Sequence, residues 1–398
     1  DIVENTGGGG AWAPDGKSFF YTLQDENHRP SKVFHHIVGE PQSSDRLVFE
    51  ETDPGFFMGV GGSLLDDFIY IDIHDHETSE YRLIPTSDLL AEPKLVAERE
   101  EGIEYSMTEG GDVFYILTNA DGAKNFKLVT APEGATDRKQ WKDWVKHDPQ
   151  VLIEGFELFD GYTAIAERAE ALERVRLLFA DGRSEFVKAD EPAYSMGLSV
   201  NAEPETEWLR YTYTSLTTPA TTYELNVKTG ERRLLKQQPV IGYDPSKYET
   251  ERVWVTARDG ARIPVSLVYK KGFKKDGTAA LYQYAYGSYG MSMDPGFNQS
   301  VVSLLDRGVV YAIAHIRGGE EMGRSWYENG KLLHKQNTFN DFVDVTRALV
   351  AQGYAAKDRV AASGGSAGGL LMGAVANQAP GDYRVMVAQV PFVDVVTT

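Results

Sequence analysis

The sequence predicts two parts of different fold class, an all-β part over residues 1–245 and an α/β part over residues 246–398. Three observations support this division. Short strand-like runs separated by turn residues recur through the first part. After about residue 250 the strand-like runs alternate with helical ones. A G-x-S-x-G sequence at residues 364–368 lies between such a strand and such a helix.

The all-β part repeats with a period of about 48 residues, because segments that open a new group of strands fall near residues 10, 57, 105, 157 and 205. Turn sequences such as Asn119–Gly122 and Ala180–Arg183 separate strands rich in Val, Ile, Tyr, Phe and Thr. This period is typical of β-propeller blades of four strands each. A large β-sandwich is the alternative that the pattern leaves open.

The α/β part is predicted from strand-like runs at Val253–Ala257, Ile263–Tyr269, Ala280–Ala285, Val309–His315, Arg359–Ser363 and Met386–Phe392. Between the fourth and fifth of these runs, Phe339–Gln352 carries apolar residues at helical spacing. We expect Asn340 or Thr338 to cap the start of this helix and Gly353 to follow its end. Strands that alternate with helices indicate a largely parallel sheet.

Residues Gly364–Gly369 match a nucleophile elbow, the sharp turn that presents a catalytic serine in α/β-hydrolases. Such a turn needs small neighbours, which Gly364 and Gly368 supply on either side of Ser366. The following amide, that of Ala367, lies at a helix N-terminus, where it can donate a hydrogen bond to a developing oxyanion. We therefore predict Ser366 as a nucleophile. The lysine that follows the glycines in a phosphate-binding P-loop is absent from this motif, which argues against phosphate binding.

A serine nucleophile needs a base, and in α/β-hydrolases the acid and the histidine follow the serine along the chain. The residues after Ser366 include Asp382 and Asp394 but no histidine. His315, at a predicted strand end, precedes the serine and is disfavoured as the base by this order. We therefore expect the triad Asp and His to lie outside this sequence, and the chain to be a piece of a longer one.

Composition narrows the function classes. The 398 residues carry a net charge of −19, and residues 1–250 hold 24 basic and 46 acidic residues, a net charge of −22. This charge disfavours nucleic acid and anionic membranes as partners and favours cationic ones. No run reaches the roughly 18 apolar residues of a membrane span. The chain has no cysteine, which fits a cytoplasmic protein without excluding a periplasmic one.

The α/β part resembles the oligopeptidase B branch of the prolyl oligopeptidase family of serine peptidases, which cleaves after basic residues. The resemblance rests on the segments Pro264–Tyr269, Tyr286–Gly290, Ser303–Gly308, Arg317–Gly319, Asn337–Asp341, Gly364–Gly369 and Gln389–Thr398. The all-β part looks like the later blades of that family's seven-bladed propeller. The resemblance implies that this sequence lacks the first blades and the last third of the α/β-hydrolase domain.

The resemblance also implies roles for individual residues. Ser366 matches the acylating nucleophile, and Tyr286 matches a tyrosine whose hydroxyl shares the oxyanion hole with the Ala367 amide. Asp294 matches the first of two acidic positions facing a second basic residue of the substrate. Gly296 stands at the other acidic position, so a preference for paired basic residues is doubtful. The triad Asp and His and the glutamates that bind the P1 residue are implied to lie beyond Thr398.

The predicted function is hydrolysis of short peptides on the carboxyl side of Arg or Lys, through an acyl-enzyme on Ser366. No metal or cofactor is expected, and the partners are short cationic peptides and the remaining segment of the same enzyme. Three alternatives stay open: a prolyl-oligopeptidase-like or dipeptidyl-type peptidase of the same architecture, an esterase, and a non-catalytic propeller that binds a partner. A fluorophosphonate probe would leave Ser366 unlabelled in the last case.

Overall fold

A computed structural model describes residues 1–134, 137–394 and 396. Residues of the Gln389–Thr398 motif at positions 395, 397 and 398 lie outside the described residues. The chain divides into two compact units, Asp1–Asp148 and Pro149–Thr398, which are described in turn.

The first unit consists of three four-stranded antiparallel sheets. Each sheet is a meander, because its strands pair in the order in which they follow along the chain. The strands are β1 (Thr6–Trp12), β2 (Ser18–Gln24), β3 (Pro30–Ile37) and β4 (Arg46–Glu50); β5 (Phe57–Gly62), β6 (Phe68–His74), β7 (Ser79–Pro85) and β8 (Lys94–Leu95); and β9 (Tyr105–Glu109), β10 (Val113–Thr118), β11 (Lys127–Pro132) and β12 (Lys142–Val145).

Alternation of apolar and polar residues explains why these segments form strands with two different faces. In β6, Ile69, Ile71 and Ile73 are each at most 1% exposed, whereas the residues between them are partly exposed. Successive side chains of a strand point to opposite faces, so this alternation buries a single row of isoleucines. That row packs against Phe20 and Val33 of the preceding sheet. The sheets of this unit are therefore stabilised by packing face to face.

The second unit begins with two more four-stranded antiparallel meanders. Their strands are β13 (Val151–Phe159), β14 (Tyr162–Ala169), β15 (Leu172–Phe179) and β16 (Ser184–Phe186), then β17 (Tyr194–Leu198), β18 (Trp208–Ser215), β19 (Thr221–Asn226) and β20 (Arg232–Gln237). Val175 and Leu177 of the first meander share one core with Leu209 and Tyr211 of the second.

A six-stranded mixed sheet completes the second unit. Its strands are β21 (Tyr248–Thr256), β22 (Arg262–Lys270), β23 (Ala280–Tyr284), β24 (Val309–Ala314), β25 (Val360–Gly365) and β26 (Val385–Gln389). They lie in the order β21-β22-β24-β23-β25-β26. Strand β22 is antiparallel to both of its neighbours, and the pairs from β24 to β26 are parallel. The carboxyl ends of β23, β24 and β25 therefore meet at one edge of the sheet.

Four α-helices connect these strands: α1 (Gln299–Asp306), α2 (Arg324–Glu328), α3 (Gln336–Ala351) and α4 (Ala367–Gln378). Phe342 and Leu349 of α3, together with Leu371 and Val375 of α4, are at most 1% exposed. These side chains pack in one core with the central strands, including Val360. None of the helices in the described ranges has the length and apolar character that crossing a bilayer requires.

Most sequence expectations for these elements agree with the structure. The five groups of strands are five four-stranded sheets, and the first three open at Thr6, Phe57 and Tyr105. The opening expected near residue 205 is wrong, because the fifth sheet opens earlier, at Tyr194. The predicted domain boundary at residues 245 and 246 falls between β20 and β21, whereas the two compact units divide at residues 148 and 149. As a boundary between domains it stays a prediction.

The expected cap of α3 is wrong. The helix starts at Gln336, and neither Thr338 nor Asn340 precedes it. The Thr338 hydroxyl instead donates to the carbonyl oxygen of Gly330, and the Asn340 side chain accepts from Arg258. Both side chains are thus engaged with neighbouring segments rather than with the helix amides. The helix ends at Ala351, and Gly353 follows with φ +87°.

Candidate active site

Ser366 lies between the last residue of β25 and the first residue of α4. Its backbone has φ 54° and ψ −115°, a combination that residues other than glycine rarely adopt. Its side chain is exposed, while Gly364, Ala367 and Gly368 around it are buried. A serine in a strained turn with an accessible hydroxyl is the geometry of a nucleophile elbow.

The glycines of this turn are required by close packing. A Cβ atom on Gly364 would overlap the carbonyl oxygen of Gly368, so the strand and the helix approach each other directly. A Cβ atom on Gly369 would lie 2.5 Å from the Cα atom of Pro391, which is too close for any side chain. The turn is therefore sharp because no side chain separates its two arms.

Hydrogen bonds fix the Ser366 backbone on both sides. Its amide donates to the carbonyl oxygen of Gln389 at 2.9 Å. Its own carbonyl oxygen accepts from Phe392 at 3.0 Å and from Gly369 at 2.9 Å. These bonds connect the turn to β26 and to the segment that follows β26, and they offset the cost of the strained conformation.

The oxyanion donors predicted from the sequence flank this turn. Ala367 is the first residue of α4, and the first amides of a helix have no acceptor within the helix. Tyr286 follows β23, and its Cα and Cδ2 atoms lie 3.5 Å from where a Cβ atom on Gly368 would be. The structure thus brings Ser366, Ala367 and Tyr286 together at one edge of the mixed sheet. Their roles in catalysis stay predictions.

Asp294 lies on the connection between β23 and α1, where it binds Arg168 of β14. The Arg168 guanidinium donates to both Asp294 carboxylate oxygens, at 2.5 and 3.0 Å. It also donates to Glu154 at 2.9 Å and to Glu173 at 3.2 Å. The arginine side chain is only 2% exposed. The carboxylate predicted to bind a substrate cation is therefore paired with an arginine of this chain.

The three carboxyl groups around Arg168 could carry more negative charge than its single positive charge balances. Burial raises the pKa of the Glu154 carboxyl, and burial followed by the charge of Asp294 raises the pKa of the Glu173 carboxyl. Sequence reasoning did not identify Arg168. The one signal available to it, an arginine inside a strand with mostly apolar neighbours, does not point to a partner 126 residues away.

His315 is buried and is not positioned as a base for Ser366. Its Nε2 atom lies 2.8 Å from the Ser266 hydroxyl, and the side chain is 1% exposed. Burial lowers the pKa of the imidazole to about 4. Ser266 belongs to β22, which is separated from β25 by two strands of the sheet. This geometry agrees with the expectation that His315 is not the catalytic base.

Asp382 and Asp394, the two carboxylates after Ser366, differ in their surroundings. Asp382 accepts a hydrogen bond from Arg347 Nε at 2.7 Å. Asp394 accepts one from the Val396 amide at 3.2 Å. Within residues 1–134, 137–394 and 396, no three His, Asp or Glu side chains are grouped as ligands for a metal ion.

Comparison with known families matches both parts of the chain. Residues 1–238 match the family described as "Prolyl oligopeptidase, N-terminal beta-propeller domain". Residues 295–398 match the "Prolyl oligopeptidase family". The meanders of four strands are thus propeller blades, and the β-sandwich alternative is wrong. Strands β24, β25 and β26 of the mixed sheet lie within the second match, together with Ser366.

Individual relatives agree with this family. Dipeptidyl aminopeptidase BI of Pseudoxanthomonas mexicana is 60% identical over 100% of this chain and 55% of its own length. Protease 2 of Moraxella lacunata is 39% identical over 97% of this chain and 56% of its own length. The structure of oligopeptidase B from Trypanosoma brucei with covalently bound antipain superposes with a TM-score of 0.93 at 36% identity, over 100% of this chain and 58% of that one.

The chain spans about half the length of the curated relatives it matches. The first match alone covers more than half of this chain, and the strained Ser366 lies within the second match. The chain belongs to the prolyl oligopeptidase family of serine peptidases.

Proposed function

We propose that this chain provides the nucleophile of an oligopeptidase of the oligopeptidase B type, which hydrolyses short peptides on the carboxyl side of Arg or Lys. The observation that carries the proposal is the geometry of Ser366. Its backbone is held in a strained turn, its hydroxyl is exposed, and buried glycines surround it. Stored strain at an accessible serine is typical of a catalytic nucleophile.

In the proposed reaction the Ser366 oxygen attacks the carbonyl carbon after the basic residue, and its proton passes to a histidine outside these residues. The Tyr286 hydroxyl and the Ala367 amide donate hydrogen bonds to the resulting oxyanion. The peptide C–N bond then breaks, and the leaving amine takes the proton from the histidine. Water hydrolyses the ester on Ser366 and restores the free serine.

A preference for Arg or Lys is supported by the family branch that the α/β part resembles and by the charge of the propeller part. The net charge of −22 over residues 1–250 raises the local concentration of cationic peptides. We expect kcat/KM for an Arg peptide to fall about 3- to 10-fold between low and moderate ionic strength, because the field of exposed charges is screened. A flat salt dependence would contradict this steering, and an uncharged substrate is the control.

A second candidate, a dipeptidyl peptidase, is favoured by one comparison and one contact. Dipeptidyl aminopeptidase BI is 60% identical to this chain. In addition, Asp294 already binds Arg168, so it offers no free carboxylate for a second basic side chain. Under this alternative the enzyme would require a free α-ammonium group two residues before the scissile bond. The two candidates share Ser366 and differ in what the substrate must carry.

Matched peptides separate the candidates. One fluorogenic amide carries Arg before the cleaved bond and a free amino group on the preceding residue, and its twin is N-acetylated. An oligopeptidase cleaves both at similar rates, whereas a dipeptidyl peptidase loses about 10²-fold or more with the acetylated one, since its buried partner for the ammonium is left unpaired. A third peptide with Pro before the bond tests the prolyl-specific relatives. A rate with Pro above that with Arg would overturn the proposal.

Active-site labelling tests the nucleophile independently of specificity. The intact mass of the purified protein is measured first. A mass above 44.2 kDa means that the protein contains residues beyond this sequence. A fluorophosphonate is then expected to add once, at Ser366, and antipain is expected to compete with it. Absence of labelling in a protein larger than 44.2 kDa would overturn the proposal and favour a propeller that only binds a partner.

A further inference from the structure

Lys335 contacts the backbone that directly follows Tyr286. Its ammonium group donates to the carbonyl oxygen of Gly287 and to the Ser288 hydroxyl, the latter at 2.6 Å. Lys335 stands just before α3, and Gly287 belongs to the turn after β23. The contact therefore joins the start of a helix to the turn that carries Tyr286.

The Gly287 turn is closely packed on its other sides. Gly287 has φ +73°, and a Cβ atom on it would lie 2.5 Å from Thr338 and 2.8 Å from Ile316. Its carbonyl oxygen is so close to Gly318 that a Cβ atom there would overlap it. A buried carbonyl in such a site needs a donor, because water has little room to reach it. Lys335 provides that donor.

Tyr286 is held between this turn and the nucleophile elbow. On one side its Cα and Cδ2 atoms pack against Gly368 of α4. On the other side, Gly287 follows directly in the chain, and Lys335 binds the carbonyl oxygen of Gly287. A shift of the Gly287 carbonyl would therefore rotate the Tyr286 backbone relative to Ser366. Misplacements of about 1 Å in such constellations can cost about 10²-fold in rate.

We propose that Lys335 is a positioning residue, which keeps the Tyr286 hydroxyl aligned with Ser366 by binding the Gly287 carbonyl and the Ser288 hydroxyl. This inference rests on the proposed function, because it requires Tyr286 to stabilise the oxyanion. Lys335 acts through Tyr286 and does not contact the substrate.

The electrostatic surroundings make the contact sensitive to pH. Burial lowers the pKa of the Lys335 ammonium to about 8. The acidic groups on the neighbouring segments bind other cations: Glu320 accepts from Arg324 and Asp341 accepts from Arg317. His334 is exposed beside it on the same segment. As the pH rises through about 8 the ammonium loses its proton, and the charge-assisted bond to Gly287 becomes an ordinary, weaker one.

The test compares Lys335→Met and Lys335→Arg with Lys331→Met as a matched control. Lys331 lies four residues earlier, and its ammonium packs on the Tyr327 ring, 4.5 Å from the ring centre. The rate of fluorophosphonate labelling at Ser366 and the kcat and KM for an Arg peptide are measured in the full-length protein. Lys335→Met is expected to lower the labelling rate and kcat 10- to 100-fold with KM within 2-fold, since the ground state does not use the oxyanion hole.

Lys335→Arg is expected to retain most of the activity and to remove an alkaline loss of kcat that begins near pH 8 in the wild type. The control should match the wild type throughout. A Lys335→Met protein with unchanged kcat would overturn the inference while leaving the proposed function intact. If Lys335→Met does not fold, the pH profile of Lys335→Arg decides. An alkaline loss of kcat in that variant equal to the loss in the wild type would also overturn the inference about Lys335. A wild type that is not labelled at all would overturn the proposed function, and the role of Lys335 with it.

Discussion

Two glycine-containing turns follow β24 and β25, the strands on either side of β23 in the mixed sheet, and they differ in whether their polar side chains are exposed or buried. The turn after β25 exposes the Ser366 hydroxyl. The turn after β24 buries its polar side chains, because His315 is 1% exposed and Arg317 is 7% exposed. Both turns exclude side chains at their glycines: a Cβ atom on Gly318 would overlap the Gly287 carbonyl, as one on Gly364 would overlap that of Gly368.

This comparison shows that crowded glycines alone do not identify a catalytic turn. In the second turn, Arg317 donates to Asp341 at 2.5 and 2.8 Å and to Asp259 at 2.6 Å. Asp341 belongs to α3 and is fully buried, and its pair with Arg317 therefore joins the turn to that helix in the interior. The strained backbone and the free hydroxyl distinguish the first turn. Removing polar groups should therefore change the reaction at the first turn and the stability at the second.

Ser366→Ala is expected to have the largest effect. Loss of the nucleophile should lower turnover by at least about 10⁴-fold, because the oxygen that forms the ester is removed. The melting temperature should stay within about 2 °C, since the exposed hydroxyl contributes little to packing. Turnover of an Arg peptide and a thermal melt measure the two quantities. Residual turnover above 10% would contradict the assignment of the nucleophile.

Arg317→Met should act in the opposite way. It leaves the buried Asp341 carboxylate without its partner, which we expect to lower the free energy of unfolding by about 3–5 kcal/mol. Arg347→Met is the matched control, because Arg347 also pairs with an aspartate but is 57% exposed, and such pairs are worth about 0–1 kcal/mol. Denaturant unfolding of both variants measures the difference. Equal losses of unfolding free energy in the two variants would show that the Arg317–Asp341 pair stabilises the fold no more than an exposed ion pair does.

Tyr286→Phe tests whether Tyr286, which follows the neighbouring strand β23, contributes to the reaction at the first turn. Removing one oxyanion donor typically lowers kcat about 10²- to 10³-fold, or about 2.7–4 kcal/mol, and stability should be unchanged. Tyr289→Phe, on the same segment but 61% exposed, is the control. Kinetics on an Arg peptide measure both variants. A loss below 3-fold for Tyr286→Phe would mean that Tyr286 packs beside the elbow without donating to the oxyanion.

Glu321→Gln tests how the stability near the second turn depends on pH. Burial raises the pKa of the Glu321 carboxyl from 4.5 to about 7, so the folded chain keeps a proton that the unfolded chain releases. This contribution to stability is fully present below about pH 4.5 and is lost as the pH rises through 7. The variant should remove that loss, which amounts to at most about 3 kcal/mol.

Denaturant unfolding of Glu321→Gln between pH 4 and pH 8 measures the change. Glu203→Gln, which replaces an exposed glutamate, is the control and should keep the wild-type pH dependence. If the pH dependence of stability were the same in Glu321→Gln as in the wild type, Glu321 would not titrate as its burial implies.

The elbow could be predicted from sequence because its requirements are local. The glycines, the serine and the helix start stand within six consecutive residues, Gly364–Gly369. The five four-stranded sheets could be predicted because apolar alternation and turn residues repeat with the blade period. The prediction failed at α3, where Thr338 binds a carbonyl of another segment instead of capping the helix.

The surroundings of Asp294 and Tyr286 could not be predicted in this way. Asp294 binds an arginine 126 residues earlier, and Lys335 reaches a carbonyl 48 residues earlier. No periodicity or local motif encodes such pairs, because they depend on which segments the folded sheet brings together. The resemblance to a family indicated Asp294 as a binding residue, but it did not reveal that Arg168 of the propeller part occupies its carboxylate.

The strand order of the mixed sheet has a consequence for when the Ser366 turn can form during synthesis. Strand β25 pairs with β23, and the helix α3 and strand β24 lie between them in the sequence. The conformation of Ser366 depends further on Gln389, at the end of β26. Contacts between residues distant in sequence form late, after the intervening chain has emerged and folded. The hydrogen-bonded conformation of Ser366 can therefore form only after β26 has been synthesised and has paired with β25.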